Sequence, residues 1–181
     1  LGEIKTEEAT RTLVTWLETL FKETNDSSPL SDPDYSSHNP RIRLARNGLG
    51  ALKNNSTASD PASVALVQNY SNHRSLLLQM DAIDILGHWK AEEAIDSIAL
   101  FLRYDSLLVR HAANALSKFG DNEKALAAFK QFFSTPLNSV TIHENWKGDF
   151  YLVASHLRNA SHPQQIKILM DLFENEQSLL W

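Results

Sequence analysis

The stretch "LLVRHAANALSKFGDNEKALAAFKQFF", residues 107–133, places Arg110 ahead of Ala112, Ala113 and Ala115, follows them with Leu116 and Gly120, and then begins a second apolar stripe. Apolar residues three and four apart follow the period of a helix face, not the alternation of a strand. The stretch therefore predicts two helices with a tight turn between them. Gly120 stands where a helix end takes the left-handed conformation, and Asp121 or Asn122 is placed to cap the helix that follows. The alanines of the first helix allow another helix to approach closely.

The pattern recurs. Shifted back by 30 residues, Ala112 falls on Ala82, Ala115 on Ile85 and Leu116 on Leu86; shifted by 31, Ala125 falls on Ala94, Phe129 on Ile98 and Phe132 on Phe101. Moved forward by 41, Ala113 falls on Ala154 and Leu116 on Leu157. Three helix pairs emerge, near residues 74–103, 106–133 and 148–175. Gly87 is expected to end the first helix of the first pair, and Ser161 or His162 before Pro163 to start the last helix of the third. One such hairpin cannot bury its own stripe, so stacking of pairs has to supply the core.

The run Asp105-Ser106-Leu107-Leu108-Val109-Arg110, followed by Ala112-Ala113 and Ala115-Leu116, resembles HEAT-like repeats, in particular the short bacterial kind also found in phycobilin lyases. In that family an Asp opens the first helix and an Arg follows it. The positions matching Arg110 are Met80 and Tyr151, and those matching Asp105 are Ser75 and Trp146, so the outer pairs depart from the pattern. The resemblance covers about residues 74–175. It implies an all-α fold, a short right-handed α-solenoid of helical hairpins whose second helices line the concave face.

Upstream, "EEATRTLVTWLETLFK" at 7–22 predicts an amphipathic helix that caps the stack, with Thr6 as its N-cap and Leu13, Leu17, Leu20 and Phe21 as its buried stripe. Residues 24–40, rich in Ser, Asp and Pro, are expected to form a mobile loop. Residues 41–70 then make a degenerate fourth pair, in which Gly48 and Gly50 either weaken the helix or permit close packing. The whole chain, 1–181, is expected to be a single α-solenoid domain.

Composition narrows the function classes. The net charge of −5 argues against a dedicated nucleic-acid binder. The chain lacks cysteine, which removes disulfides, thiolate metal sites and a cysteine nucleophile. No apolar run approaches the ~20 residues that cross a bilayer. The first residue is Leu1 rather than Met, which leaves a removed signal peptide, a removed anchor and a trimmed start equally open, and no compartment is indicated. N-x-S/T sequons at Asn25, Asn54, Asn55, Asn69 and Asn159 read as polar loop and helix-end residues.

Catalytic chemistry finds little foothold. The histidines make no two-ligand spacing with a carboxylate on one helix face, so no metal and no other cofactor is expected. His143-Glu144 resembles the His-Glu motifs of HEAT-repeat di-iron hydroxylases, but it is a single pair in a linker. Asp32 and Asp34 lack the Gly and Glu of a calcium loop. No Gly-rich phosphate loop or G-x-S-x-G elbow is present. An enzyme is the less favoured reading.

The favoured reading is a non-catalytic protein-interaction module or scaffold that binds a protein partner, not nucleic acid, through the second-helix face. Glu93, Asp96, Lys130, Gln131, Lys167 and Asp171 avoid the apolar stripes there, and the insertion at 134–148 adds His143, Glu144 and Trp146. Arg41, Arg43, Arg46 and Lys53 form a secondary basic patch suited to an anion or an acidic partner. Two alternatives stay open. A toxin-neutralising or regulatory binding protein would suit the acidic balance. A tetrapyrrole lyase or chaperone, implied by the family resemblance, would draw on Tyr104 or His111.

Overall fold

The computed structural model describes residues 6–25, 39–57, 60–103, 106–134, 146–160 and 162–176. Among the described residues the fold is all-α: α1 (Glu7–Asn25), α2 (Pro40–Asn55), α3 (Pro61–Ser71), α4 (Leu76–Trp89), α5 (Ile95–Leu100), α6 (Ser106–Ser117), α7 (Glu123–Ser134), α8 (Trp146–Ala160) and α9 (Pro163–Glu176). Short 3-10 turns, Glu92–Ala94 and Phe101–Arg103, flank α5. The chain divides into two compact units, Leu1–Ala91 and Glu92–Trp181.

In the first unit, α1 packs on α2 and α3, and α4 packs on the same two helices. Thr6 caps α1 by accepting from the Ala9 N–H, as its sequence position suggests. The buried side of α1 is Val14, Leu17, Leu20 and Thr24; of the expected stripe Leu17 and Leu20 are buried, while Leu13 and Phe21 are only half-buried. Thr24 and Asn25 belong to α1, while Asn39 caps α2 and Pro40 opens it, so the expected loop at 24–40 is shorter at both ends. Its middle, 26–38, lies outside the described residues.

The core of this unit is tied by Tyr70, fully buried on α3, whose hydroxyl donates to the Leu17 carbonyl at 2.8 Å. Burial pushes its phenol well above the ordinary range. Phe21 meets the Tyr70 ring edge-on, and buried His73 stacks beside Tyr70. The Ser75 N–H donates to His73 Nδ1, which leaves Nε2 as the ring nitrogen that donates to the Thr24 hydroxyl, 3.0 Å away.

Asp60 caps α3. Partial burial raises its pKa, but donation from the Ser63 and Ser56 hydroxyls and the Ala62 N–H outweighs this, and the net shift is downward from 3.8. This carboxylate therefore favours the fold above its ordinary pKa and loses that effect as it protonates at lower pH.

At Gly48, α2 packs tightly against α1. A Cβ there would lie 2.6 Å from Trp16 Cζ3 and 2.7 Å from Leu17 Cδ2, so close packing, not helix weakening, is the role of this glycine. Gly50, two residues on, has open space where its Cβ would be. Gly87 does not end α4 in the left-handed conformation. It is buried inside the helix, and Lys90 takes that conformation instead, at φ 55°.

In the second unit, α6 packs on α8, α5 on α7, α7 on α9 and α8 on α9. Ala112, Ala113 and Ala115 are completely buried, as are Leu116, Val153 and Leu157. Ile95, Ile98, Phe101 and Leu102 form a buried stripe. Gly120 takes φ +62°, and Asn122, not Asp121, caps α7 by accepting from the Lys124 N–H. Gln165, fully buried on α9, donates from Nε2 to the Gly120 carbonyl at 2.8 Å and the Ser117 carbonyl at 3.1 Å.

Two substitutions on one helix should move stability in opposite directions. Gly50→Ala gains the helix propensity of alanine and should raise the unfolding free energy by about 1 kcal/mol. Gly48→Ala gains the same propensity but overpacks against Trp16 and Leu17, by about 1–3 kcal/mol, and should be a net loss in urea denaturation. In the second unit, Ala113→Leu and Ala115→Leu should each lose about 1–3 kcal/mol by overpacking. Wild-type denaturation midpoints in both would mean that neither alanine sits at a close helix contact.

Candidate functional site

α5 and α7 leave a groove of about 500 Å³ between them. It is lined by Asp96, Ala99, Leu100 and Arg103 on one side and by Lys124, Ala127, Ala128 and Gln131 on the other. Each set follows the same spacing, i, i+3, i+4, i+7, and so comes from a single face of its chain segment. Alanines keep the groove open. Leu100 remains 54% exposed there. Lys124 Nζ and Asp96 Oδ2 stand 3.5 Å apart, both largely exposed, a pair that orients side chains more than it stabilises the fold.

Of the residues expected on the second-helix face, Asp96 and Gln131 line this groove. Glu93 is exposed on the turn before α5, Lys130 is exposed on α7, and Lys167 and Asp171 are exposed on α9. His143 and Glu144 lie outside the described residues. The insertion expected at 134–148 is narrower than that, because α7 reaches Ser134 and α8 begins at Trp146. Trp146 is thus a helix residue rather than a loop residue, and its side chain is outside those described. Tyr104 is also outside them, and His111 is half-buried on α6. Sequence reasoning missed Leu100 and Arg103. Leu100 carried a signal: it is an apolar residue off the Ile95, Ile98, Phe101, Leu102 stripe.

A second cleft, of about 550 Å³, lies in the first unit between α2 and α4. One wall is Arg43, Arg46, Asn47, Gly50 and Lys53; the other is Asp81, Asp84 and Ile85. The secondary basic patch is therefore gathered in part. Arg43, Arg46 and Lys53 share this wall, whereas Arg41 is exposed and does not line it. Arg46 is held in place by two bonds, Nε to Asp81 Oδ2 at 2.6 Å and a terminal nitrogen to Asp81 Oδ1 at 3.2 Å. The hydrogen bond to Asp81 and its charge raise the Arg46 pKa against a smaller effect of burial. Arg46 is thus a positioned, neutralised group rather than a free cation.

Among the described residues, no three His, Asp or Glu side chains come together as a metal site, and no helix is long and apolar enough to cross a membrane. Both clefts present groups that bind and orient: guanidinium, ammonium, carboxamide and carboxylate around small residues. Comparison with family models, with curated proteins and with solved structures found no match to this chain.

Proposed function

We propose that this chain is a short right-handed α-solenoid of HEAT-like helix pairs that acts as a protein-interaction module, binding a protein partner through the second helices of its second unit. Support for the architecture comes from the contacts within each unit. First helices of the pairs touch each other (α2 with α4, α6 with α8), and second helices do likewise (α5 with α7, α7 with α9). Stacked helical pairs produce that pattern.

The observation that carries the binding reading is Leu100, over half exposed in a groove of small residues whose ends are charged. An apolar centre with a polar rim is the anatomy of a protein interface. Burying a leucine side chain contributes about 1.5–3 kcal/mol. Asp96 and Lys124 at one end and Arg103 and Gln131 at the other present both charge signs, which favours register with a protein surface over general attraction to a polyanion. Ile166 and Met170, one turn apart and exposed on α9, add apolar surface to the same unit.

Affinity capture from the source cell, with wild-type chain and two variants, tests this reading. Leu100→Asp should keep the helical circular dichroism spectrum and lose at least tenfold in affinity for the recovered protein. Lys124→Glu should mainly slow association and change its salt dependence. If the recovered protein binds Leu100→Asp normally and is lost on reversing Arg43 and Lys53, the working surface is the α2/α4 cleft and the groove reading fails.

A further inference from the structure

The outer side of α1 carries a pattern of its own. Glu8, Thr12, Thr15, Thr19 and Lys22 recur in alternating steps of four and three, and all are exposed, so they form one stripe opposite the buried side of the helix. Arg11 and Glu18 border the stripe on one edge, and Trp16, 39% exposed, borders it on the other. The hydroxyls of Thr12, Thr15 and Thr19 donate back to the carbonyls of Glu8, Arg11 and Thr15, at 2.9, 3.1 and 3.1 Å. The middle of the stripe is therefore uncharged, and covering it strips no hydroxyl proton of its hydrogen bond.

The charges on this face are placed symmetrically about Thr15, with opposite signs. Glu8 and Lys22 lie seven positions to either side of it. Arg11 and Glu18, four positions before and three after, centre within half a residue of the same point. Glu8, Glu18 and Lys22 make no ion pair among the described residues. Arg11 meets Glu7 on its own helix at 2.8 Å, with both side chains largely exposed, so this pair leaves Arg11 open to a second carboxylate.

We infer that this face pairs with the same face of a second copy of the chain, the two α1 helices lying antiparallel about a two-fold axis at Thr15. In that arrangement Glu8 of each copy meets Lys22 of the other, and Arg11 of each meets Glu18 of the other. The threonines face one another at the centre, and the exposed edge of each Trp16 flanks them. Such an interface is isologous: one patch is its own complement, and every contact occurs twice. Charges beside the seam of two packed helices set their orientation. A parallel pair would set Glu8 on Glu8 and Lys22 on Lys22, whereas the antiparallel pair also opposes the two helix dipoles favourably. A partner of one charge sign would meet repulsion at half of these positions; a second copy meets none at these four. The face belongs to the first unit, and the inference does not rest on the α5/α7 groove.

Sedimentation equilibrium of the whole chain over a dilution series at low ionic strength tests this. The chain should fit a monomer–dimer equilibrium that weakens with added salt. Glu8→Lys and Lys22→Glu should each weaken the dimer about tenfold, since each turns two attractions into two repulsions. The double reversal, Glu8→Lys with Lys22→Glu in one chain, restores opposite signs across the axis and should return the affinity to within about threefold of wild type. Net charge alone would move the two single variants in opposite directions, because one lowers and the other raises the formal charge of −5. Glu123→Lys, exposed on α7, makes the same charge change as Glu8→Lys away from α1 and should stay within about twofold. These positions are exposed, and an unchanged helical circular dichroism spectrum in each variant shows that the fold is kept. A monomer at every concentration, single reversals that leave a dimer unaffected, or a double reversal no tighter than the single ones would each overturn the inference.

Discussion

Each helix of this protein has more apolar surface than one neighbour can cover, and the way that surplus is buried governs the rest of the structure. Two helices can close one seam; what remains of each stripe has to meet a further helix, and each of the described helices packs on at least two others. The axes then come close at a few points, and small residues occupy them. Gly48 sits beneath Trp16 and Leu17 in the first unit, and Ala112, Ala113 and Ala115 are wholly buried in the second. Interiors packed at crystal-like density leave little room for adjustment there. The larger side chains, Tyr70 in one unit and Phe129 in the other, are fully buried.

The two clefts arise from the same geometry. Each lies between two neighbouring helices, where small residues face the seam: Gly50 between α2 and α4, Ala99, Ala127 and Ala128 between α5 and α7. A seam of this kind becomes a trough whose walls are the next residues around each helix. Those residues are polar because they stand at the edge of the buried stripe, so the troughs are apolar or open at the floor and charged along the rim.

Local features were legible from the sequence because they depend on residues a few positions apart. The stripe from Ile95 to Leu102, the left-handed turn at Gly120 and the Thr6 cap belong to this class. Gly87 misled because a glycine near a helix end is not always the residue that ends it: Gly87 is buried within α4, and the turn falls on Lys90, whose N–H and that of Ala91 close back onto the Gly87 and Leu86 carbonyls. The site residues were legible only by sidedness. Composition identified Arg43, Arg46 and Lys53 as a basic run, but not that Asp81, 35 positions away, cancels the middle one. The distance between helices that defines a trough is set by packing and leaves no local trace.

The buried amide of Gln165 has a wider effect. Both of its N–H groups are used on the Ser117 and Gly120 carbonyls, at the end of α6 and the turn that follows, 48 and 45 positions earlier in the chain. Those carbonyls would otherwise be left over at a helix end, and they are out of reach of water. Opening α9 therefore leaves carbonyls unmet at the end of α6 and in the turn that follows it. Amide protons near Ser117 should then exchange through the same opening events as those of α9, which couples the end of α6 to a helix 45 positions further along the chain.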